Sequence, residues 1–493
     1  MDRSLVPGVD TLASDGIFPT EYDGDGAFLW TRTRFAVCPP SGQRYLALHL
    51  GRADSATRLT AINNPPLDAS IAAGWHWYSF DLESVERKDL ELRVDGPAPD
   101  PRDSRDLGVM LRSVIWHNSS ERHSQIEGVR ANGILNAQEY RSGAVVMRSV
   151  PPHFNLSLEV RCNIASAKAC VYCAWKWMKQ EEIGSPTPDL SFVKSLDSYL
   201  SVAEQVNDCS YGEPPMHREF AEIVDLIAAD ERAFSFTSNG KTLRHKVRQA
   251  LLGRNVNLYV SLDSATSAGF ARYRDDSFDR IIADLRILCR EKKRHRNLPK
   301  VTLSFIVMNS NKHELRDVLA LVHSVGVDRV KFLSLHREDC MEVDGRIQPR
   351  GDFVFNYDQE IVPLDELDSI GLEAQAAADE MGVDVYCDWK DFRAHHRSAG
   401  NEPLCTEPWK SLYVLNRGIM PCCFGRKPLA RWTEQGSRSV QQFVEETRNG
   451  PAFQEIRRSL ADGVFPTYCL STHSCPIVRR EISEVAPDGS DAA

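Results

Sequence analysis

The sequence contains no apolar run approaching the ~18 residues that a membrane-spanning helix needs. Its first residues, "MDRSLVPGVDTLASDG", also lack the basic start and apolar core of a secretory signal peptide. We therefore expect a cytoplasmic protein with no membrane span. Thiols stay reduced in that compartment, so the 13 cysteines are expected to be metal ligands or buried thiols and not disulfides.

The chain also has little excess charge of either sign. Its formal net charge is -10 over 493 residues, with 42% hydrophobic and 26% charged residues. This balance gives no general reason to expect nucleic acid as a partner, and we predict none. The length predicts two or three domains, because a single core rarely grows past ~250 to 300 residues.

Residues 1–116 alternate short apolar pieces with Gly, Pro, Asp and Asn. The pieces are "AFLWTRTRFAV", "RYLALHLGR", "HWYSFDL", "DLELRVDG" and "LGVMLRSVIW". Their length and spacing predict an antiparallel β-sandwich that forms an accessory domain. Residues 117–152 are polar and weakly patterned, which predicts a linker.

From residue 153 strands alternate with helices. The candidate strands are "NLSLEVRC", "LSVAEQVND", "AFSFTSNG", "NVNLYVSLD", "KVTLSFIVM" and "VDRVKFLSL", and no seventh or eighth unit is obvious. This pattern predicts an α/β fold, a partial (β/α)6 TIM-type barrel over residues 153–345. Residues 346–480 are loop-rich and rich in cysteine, which predicts a small cluster domain, and residues 481–493 predict a disordered tail.

Three cysteines, Cys162, Cys170 and Cys173, occur in "CNIASAKACVYC" without a fourth. A structural zinc site takes four protein ligands, whereas an iron-sulfur cube held by three thiolates leaves one iron open to a small molecule. Cys162 follows directly on the first barrel strand, at the end where barrels place their chemistry. We therefore predict a [4Fe-4S] site, with zinc or unrelated thiols as alternatives.

The ends of the next four strands carry further polar or turn-forming residues. Taken singly, such residues can be ordinary turns or helix caps, and their co-occurrence at one end of a barrel is what indicates a binding site. In strand order they are Gly212, Glu213 and Pro214; Thr237 and Asn239; Ser261 and Asp263; and Asn309.

These motifs together resemble the radical SAM enzyme superfamily, in the branch with a SPASM-like C-terminal auxiliary cluster domain, over roughly residues 155–478. The resemblance implies that a [4Fe-4S] cluster on Cys162, Cys170 and Cys173 binds S-adenosylmethionine at its open iron. It also implies reductive cleavage to a 5'-deoxyadenosyl radical that abstracts a substrate hydrogen, with an electron donor such as flavodoxin or ferredoxin. The first two cysteines are separated by seven residues, unlike the family's Cys-x3-Cys-x2-Cys.

The same resemblance assigns roles around the cofactor. Tyr172 is expected near the adenine, Glu213 on the methionine ammonium, and Ser261 and Asp263 near the ribose and carboxylate. The other strand-end residues, Gly212, Pro214, Thr237, Asn239 and Asn309, are expected in the same cofactor-binding site. "SNGKTL" contains Gly-Lys-Thr, but the glycine that a phosphate-binding loop needs is replaced by Ser235, so we predict no nucleoside triphosphate site there.

A second set of cysteines lies near the C-terminus. Four thiolates would saturate one auxiliary [4Fe-4S] cluster, and structural zinc is the alternative. The motif "IMPCC" favours Cys422, although the count from Gly418 selects Cys423. The set comprises Cys405, Cys422, Cys423, Cys469 and Cys475.

The N-terminal region resembles accessory β-domains found beside some glycosyltransferases and other surface-polysaccharide proteins. This analogy favours a sugar or glycan substrate, undergoing epimerisation, dehydrogenation or deoxygenation by an oxidoreductase or isomerase. An epimerase needs a hydrogen donor, for which Cys340 and Cys209 are candidates, with inert buried thiols as the alternative. Other readings are modification of a ribosomally made peptide and a non-catalytic iron-sulfur binding protein.

Overall fold

The computed structural model describes most of the chain. The described residues are 17–23, 26–38, 40, 43–52, 57–62, 68–82, 90–96, 105–164, 170–173, 188–229, 231–296, 298–335, 347–389, 403–422, 424–425, 427–471, 475 and 477–478. The chain divides into two compact units, residues 1–137 with 294–297, and residues 138–293 with 298–493. The expected tail, Cys340 and Cys423 lie outside the described residues.

The first unit contains two antiparallel sheets that share one apolar core. Their orders are β1-β2-β9-β4-β7 and β3-β8-β5-β6. Alternate residues such as Leu48, Leu59 and Leu92 point into that core. This is the β-sandwich expected from the sequence. Its strands are β1 (Ile17–Asp23), β2 (Gly26–Arg32), β3 (Arg34–Val37), β4 (Tyr45–Arg52), β5 (Thr57–Ala61), β6 (Asp68–Ile71), β7 (Gly74–Asp81), β8 (Leu90–Asp95) and β9 (Leu107–His117).

The segment 117–152, expected to be a linker, instead contains a 22-residue helix, α1 (Ser120–Arg141). The Ser119 hydroxyl accepts a first-turn backbone N–H at 3.1 Å, which caps the helix. Ile126 of this helix is buried among apolar residues. The next residue, Glu127, is held by a polar contact, because its carboxylate accepts the backbone N–H of Ser79 at 3.0 Å. The prediction was wrong because hydrogen bonds and not an apolar stripe hold much of this helix, so its sequence lacks the usual periodicity.

The second unit is built on a nine-stranded sheet in the order β18-β15-β14-β13-β12-β11-β10-β19-β20. All neighbours are parallel except the β19–β20 pair. The six predicted strands are β10 to β15, adjacent and in chain order, which confirms the α/β fold. The strands are β10 (His153–Leu156), β11 (Gln205–Asp208), β12 (Ala233–Ser238), β13 (Val256–Ser261), β14 (Lys300–Val307), β15 (Arg329–Ser334), β18 (Asp384–Cys387), β19 (Ser411–Leu415) and β20 (Gly418–Met420).

Three strands of this sheet were not predicted. β18 joins one edge, and β19 pairs with β10 at the other side, so the sheet takes strands from both sides of residue 345, where the sequence placed a domain boundary. These strands have only three to five residues each, too few for a clear period. A separate hairpin, β16 (Ile347–Arg350) and β17 (Phe353–Asn356), precedes them.

The helices of the second unit supply its apolar layer. Ile223, Ile281 and Leu319, from three of these helices, share one core with the apolar side chains of the strands. The helices are α2 (Leu190–Lys194), α3 (Asp197–Leu200), α4 (Phe220–Ile227), α5 (His245–Leu251), α6 (Ser267–Tyr273), α7 (Phe278–Glu291), α8 (Leu315–Val325), α9 (Tyr357–Glu360), α10 (Leu364–Met381), α11 (Glu407–Lys410), α12 (Val440–Arg448), α13 (Pro451–Ala461) and α14 (Thr467–Leu470). Over the described part of the chain, no helix combines the length and apolarity needed to span a membrane.

The other face of the sheet is polar. Asn155, Asn207, Ser235 and Asn257 alternate along their strands with core residues. Asn207 Nδ2 donates to Asn155 Oδ1 at 2.9 Å, and Asn257 Nδ2 donates to Ser235 Oγ at 3.1 Å. The second unit therefore has an apolar face under helices and an inner face lined by amides and hydroxyls.

Candidate functional site

The three cysteines of the first motif lie beyond the C-terminal end of β10. Burial raises the pKa of the Cys170 thiol to about 12, the nearby guanidinium of Arg274 opposes that shift, and the thiols of Cys173 and Cys162 add to it. The sulfurs of Cys162 and Cys173 are thus close enough to influence that of Cys170 electrostatically. Residues 165–169 of the long intervening loop lie outside the described residues.

A tight turn carries the last two cysteines. The backbone N–H of Cys173 donates to the carbonyl of Cys170 at 3.0 Å, and the N–H of Val171 donates to the carbonyl of Tyr273 at 3.0 Å. The second bond attaches the turn to the last residue of α6. The turn is therefore anchored by the element that follows β13, about a hundred residues further along the chain.

Tyr172 and Asp263, both expected to contact the cofactor, contact each other. The Tyr172 hydroxyl donates to Asp263 Oδ2, and Arg274 Nε donates to the same oxygen at 2.6 Å. The other oxygen, Oδ1, accepts the backbone N–H of Ile306 at 2.9 Å. Both carboxylate oxygens thus have protein partners, and the expected contact of Asp263 with the cofactor stays a prediction.

Glu213 is 1% exposed and lies in a cradle of donors from the last residue of β12 and the loop after it. Its carboxylate accepts from Ser238 Oγ at 2.6 Å, from Thr242 Oγ1 at 2.7 Å and from the backbone N–H of Asn239 at 2.8 Å. Burial raises the pKa of this carboxyl, and the three donors oppose the shift. The neighbouring Pro214 is also buried. The cradle fixes the glutamate at the edge of the sheet where the cysteines lie.

Gly212 lets the glutamate loop approach the segment that leads into Cys162. Its N–H donates to the carbonyl of Glu159 at 3.1 Å, and the N–H of Glu213 donates to the carbonyl of Arg161 at 2.8 Å. A Cβ at Gly212 would lie 2.4 Å from the carbonyl oxygen of Arg161. Only glycine allows this backbone contact without displacement of a neighbouring strand end.

We therefore expect Gly212→Ala to lower the free energy of unfolding by ~1 to 3 kcal/mol, because the added methyl group meets rigid backbone. It should also displace the segment that carries Cys162. Gly128→Ala is the matched control, since a Cβ there meets nothing within 4 Å; within helix α1 it should raise stability by up to ~1 kcal/mol. Denaturant titration measures both changes, and equal effects of the two substitutions would contradict the expectation.

Asn239 and Lys241 contact the first cysteine and its neighbour. Asn239 Nδ2 lies 3.6 Å from Cys162 Sγ and donates to Asn163 Oδ1 at 2.7 Å. Lys241 Nζ donates to the carbonyl of Asn163 at 3.1 Å and to Asp275 Oδ2 at 2.6 Å. The lysine of "SNGKTL" therefore has contacts that position the cysteine loop.

The remaining strand-end residues, Thr237, Ser261 and Asn309, lie in different environments. Thr237 is exposed on β12, and Ser261 is half-buried at the end of β13. Asn309 Nδ2 donates to the carbonyls of Gln359 at 2.7 Å and Ile361 at 3.2 Å, which ties it to another loop. Their roles toward a cofactor stay predictions.

The second cysteine set is also brought together. The charges of Cys422 and Cys475 influence the Cys405 thiol, and those of Cys469 and Cys475 influence Cys422. Burial raises the pKa of the Cys405, Cys422 and Cys469 thiols, for Cys469 to about 12. The four described cysteines therefore form one group.

Two backbone amides donate to sulfur within this group. The N–H of Glu407 donates to Cys405 Sγ, and the N–H of Gly425 donates to Cys422 Sγ, each lowering the pKa of its thiol. Amide donors stabilise a thiolate more than a thiol, since hydrogen bonds to the charged form favour that form. Burial outweighs both donors, so the pKa of each thiol stays above its usual value.

The donor chemistry of both sets fits iron-sulfur clusters. Thiolates are the ligands of such clusters, three or four per cube. Among the described residues, no three His, Cys, Asp or Glu side chains are grouped as ligands of a single metal ion. In a cube each thiolate binds a different iron, so its ligands need not converge on one point.

Cys209, a candidate hydrogen donor, lies one residue past β11 on the polar inner face. Its Sγ lies 3.8 Å from Asn155 Oδ1, and the side chain packs with Tyr413 and Met420. Burial raises the pKa of the Cys209 thiol, and the charges of Asp208 and Glu407 raise it further. Cys209 is therefore a neutral S–H group at neutral pH.

Several residues of this site were not anticipated from the sequence. Arg274 beside the cysteines belongs to no motif, and Ser238 and Thr242 lie in "SNGKTL" but were given no role toward Glu213. The available signal was the position of Ser238 near the end of the predicted strand "AFSFTSNG" and of Thr242 just after it. Arg274 gave none, since it follows a helix and not a strand.

Comparison of the sequence with those of known proteins finds a relative of part of the chain. No protein-family model matches the chain. A probable GTP 3',8-cyclase from Metallosphaera sedula is 27% identical over 130 residues, which cover 25% of this chain and 38% of the relative. The match thus spans well under half the length of that relative. This relative supports the radical SAM superfamily indicated by the motifs.

Solved structures with a similar arrangement have low sequence identity. Streptococcus suis SuiB is 10% identical with a TM-score of 0.48, covering 69% of this chain and 74% of SuiB. A radical SAM methyltransferase from Sphaerobacter thermophilus is 13% identical with a TM-score of 0.32, covering 47% of this chain and 64% of its own. The SPASM-like assignment of the C-terminal region stays a prediction.

Proposed function

We propose that the protein is a radical SAM enzyme that cleaves S-adenosylmethionine reductively and abstracts a hydrogen atom from a polar substrate, a sugar or glycan. The observation that carries the proposal is the grouping of Cys162, Cys170 and Cys173 at the same sheet edge as the buried carboxylate of Glu213. An open iron and an ammonium partner are the two features that this cofactor needs.

The chain's own residues provide the thiolates for the cluster and the carboxylate for the ammonium. Three thiolates from the first motif would hold a [4Fe-4S] cluster, which, when bound, supplies the electron that splits the cofactor. Glu213 would receive the methionine ammonium, since a carboxylate has more acceptor sites than its three present donors fill. Ser238 and Thr242 keep that carboxylate oriented.

The second cysteine group would hold an auxiliary [4Fe-4S] cluster. Cys405, Cys422, Cys469 and Cys475 provide four thiolates, enough for every iron of one cube. The influence of Cys422 and Cys475 on the Cys405 thiol, and of Cys469 and Cys475 on the Cys422 thiol, supports one shared cluster.

The inner face of the sheet supports a substrate rich in hydroxyl groups. Asn155, Asn207, Ser235 and Asn257 present amide and hydroxyl groups in one row. Side-chain amides both donate and accept, which suits the alternating donor and acceptor character of sugar hydroxyls. Closed barrels of this type fill their interior with branched apolar residues instead, so a polar interior supports a binding role.

Cys209 would serve as hydrogen donor if the reaction is an epimerisation. The step forms a substrate C–H bond and breaks the S–H bond, which leaves a sulfur-centred radical. A one-electron reductant and a proton then restore the thiol. The location of Cys209 on the polar face, next to Asn155, supports this role.

The test is anaerobic turnover of reconstituted protein with S-adenosylmethionine and a one-electron reductant. We expect 5'-deoxyadenosine to form only when the reductant is present. Candidate glycans and peptides deuterated at carbon are then compared for transfer of deuterium into 5'-deoxyadenosine. Transfer from a glycan supports the proposal, transfer only from a peptide overturns its substrate class, and absence of 5'-deoxyadenosine overturns the reaction.

A further inference from the structure

We propose that Asp263 and Arg274 form a buried ion pair that positions the Cys170–Cys173 turn and sets the reduction potential of the cluster bound there. Asp263 then acts as a positioning residue, in place of the direct cofactor contact expected from the sequence. The inference rests on the proposed function, because it concerns the same cluster.

The backbone conformation of Asp263 directs its side chain to the Cys170–Cys173 turn. Its backbone has φ of 54°, a left-handed conformation unusual for a side chain other than glycine. Asn311 Nδ2 donates to its carbonyl at 3.0 Å and holds this conformation. From there the carboxylate reaches the Tyr172 hydroxyl, in the middle of the cysteine turn, and the Arg274 guanidinium. One strained residue thus joins β13, β14 and the turn.

Stability alone does not explain the pair. The side chains of Arg274 and Asp263 are 7% and 1% exposed, and their Nε and Oδ2 atoms are 2.6 Å apart. Desolvation of two charges offsets most of their attraction, so well-packed apolar residues are often as stable at such positions. The left-handed backbone of Asp263 adds a further cost. A costly, strained pair behind two metal ligands indicates a role in the site.

The charge of Arg274 acts on the ligand sulfur. The residue before Arg274, Tyr273, accepts the backbone N–H of Val171 at 3.0 Å, so the guanidinium is held next to the turn that carries Cys170 and Cys173. Arg274 also lies 5.5 Å from the centre of the Tyr172 ring, on the same turn. A reduced cluster carries one more negative charge than an oxidised one, so a nearby cation favours reduction.

The two partners should therefore have opposite effects when neutralised. Arg274→Gln removes the cation and should make the cluster harder to reduce, whereas Asp263→Asn removes the anion and should make it easier. Arg274→Lys keeps the charge and should stay near the wild-type potential. At a fixed solution potential, we expect Arg274→Gln to change the ratio of reduced to oxidised cluster at least tenfold. For one electron this equals a shift of ~59 mV in the reduction potential.

The experiment is an anaerobic redox titration of the first cluster, followed by electron paramagnetic resonance, in the Cys469→Ser background. Opposite shifts for Arg274→Gln and Asp263→Asn support the proposal. Shifts in the same direction, or none at unchanged iron content, overturn the electrostatic role. Tyr172→Phe should retain the potential but broaden the spectrum of the reduced cluster, because the turn loses its hydroxyl anchor, and an unchanged spectrum overturns the positioning role.

A second measurement needs no cluster. In the iron-free protein, Asp263→Asn should speed hydrogen exchange of the Val171 backbone N–H several-fold relative to wild type, because this N–H donates to the carbonyl of Tyr273 where the turn is anchored. Equal rates overturn the inference even if reconstitution fails. Failure of the wild-type protein to assemble a cluster would instead count against the proposed function, so the two failures are distinguishable.

Discussion

Replacement of Cys170 by alanine is expected to remove the first cluster and abolish formation of 5'-deoxyadenosine. Wild-type protein reconstituted anaerobically should hold about eight irons, the sum of two four-iron cubes, and the variant about four. Cys170 is the most enclosed of its three cysteines, so no water or second side chain can easily replace its sulfur. Iron analysis and chromatography of the nucleoside measure the two losses.

The control for this prediction is Cys289→Ala. Cys289 is also buried, but it lies in α7 among the apolar residues of the core. Its substitution should cost some stability through a small cavity and leave the iron content unchanged. Turnover that persists in Cys170→Ala, or an equal loss of iron in both variants, would contradict the assignment of the first cysteine set.

The elements that the sequence predicts well are those with local signals. The six strands β10 to β15 each carry a short apolar run, and the polar residues at their ends were identified because parallel strands end at one edge. Glu213 was found in this way. Its donors Ser238 and Thr242 were not, because nothing in a single sequence says which loops meet across strand ends.

The features that the sequence does not predict depend on long-range contacts or on polar packing. Arg274 reaches Asp263 only because α6 turns the chain back toward the sheet edge. Strand β19 pairs with β10 across more than two hundred residues of sequence, and no local pattern encodes that pairing. Helix α1 lacks an apolar stripe. In each case the deciding partner lies far away in the sequence.

The cofactor roles implied by the resemblance also depend on contacts that are distant in the sequence. The donors to Glu213 are two hydroxyls and a backbone N–H, all neutral, whereas Asp263 is already paired with the cationic guanidinium of Arg274. A motif can identify that a carboxylate follows a strand, but the direction of its side chain depends on the backbone, here on the left-handed φ of 54° at Asp263. Residue type and strand position therefore predict a site better than they predict a contact.

The choice between Cys422 and Cys423 as auxiliary ligand gives the second large expected effect. Cys422→Ser should lower the iron content from about eight to about four, whereas Cys423→Ser should retain about eight. Cys422 is the cysteine whose sulfur accepts the amide of Gly425 and is influenced by the charges of Cys469 and Cys475. Serine at this position offers a much poorer ligand for iron than cysteine does.

Gly425 offers an independent check on this assignment. A Cβ at this position would lie 2.2 Å from the hydroxyl oxygen of Tyr468, the residue before Cys469. Gly425→Ala should therefore disturb two ligands at once and lower auxiliary iron like Cys422→Ser, while the first cluster still cleaves S-adenosylmethionine. Loss of iron in Cys423→Ser with retention in Cys422→Ser would reverse the assignment. Retention in both would mean that a different residue completes the auxiliary site.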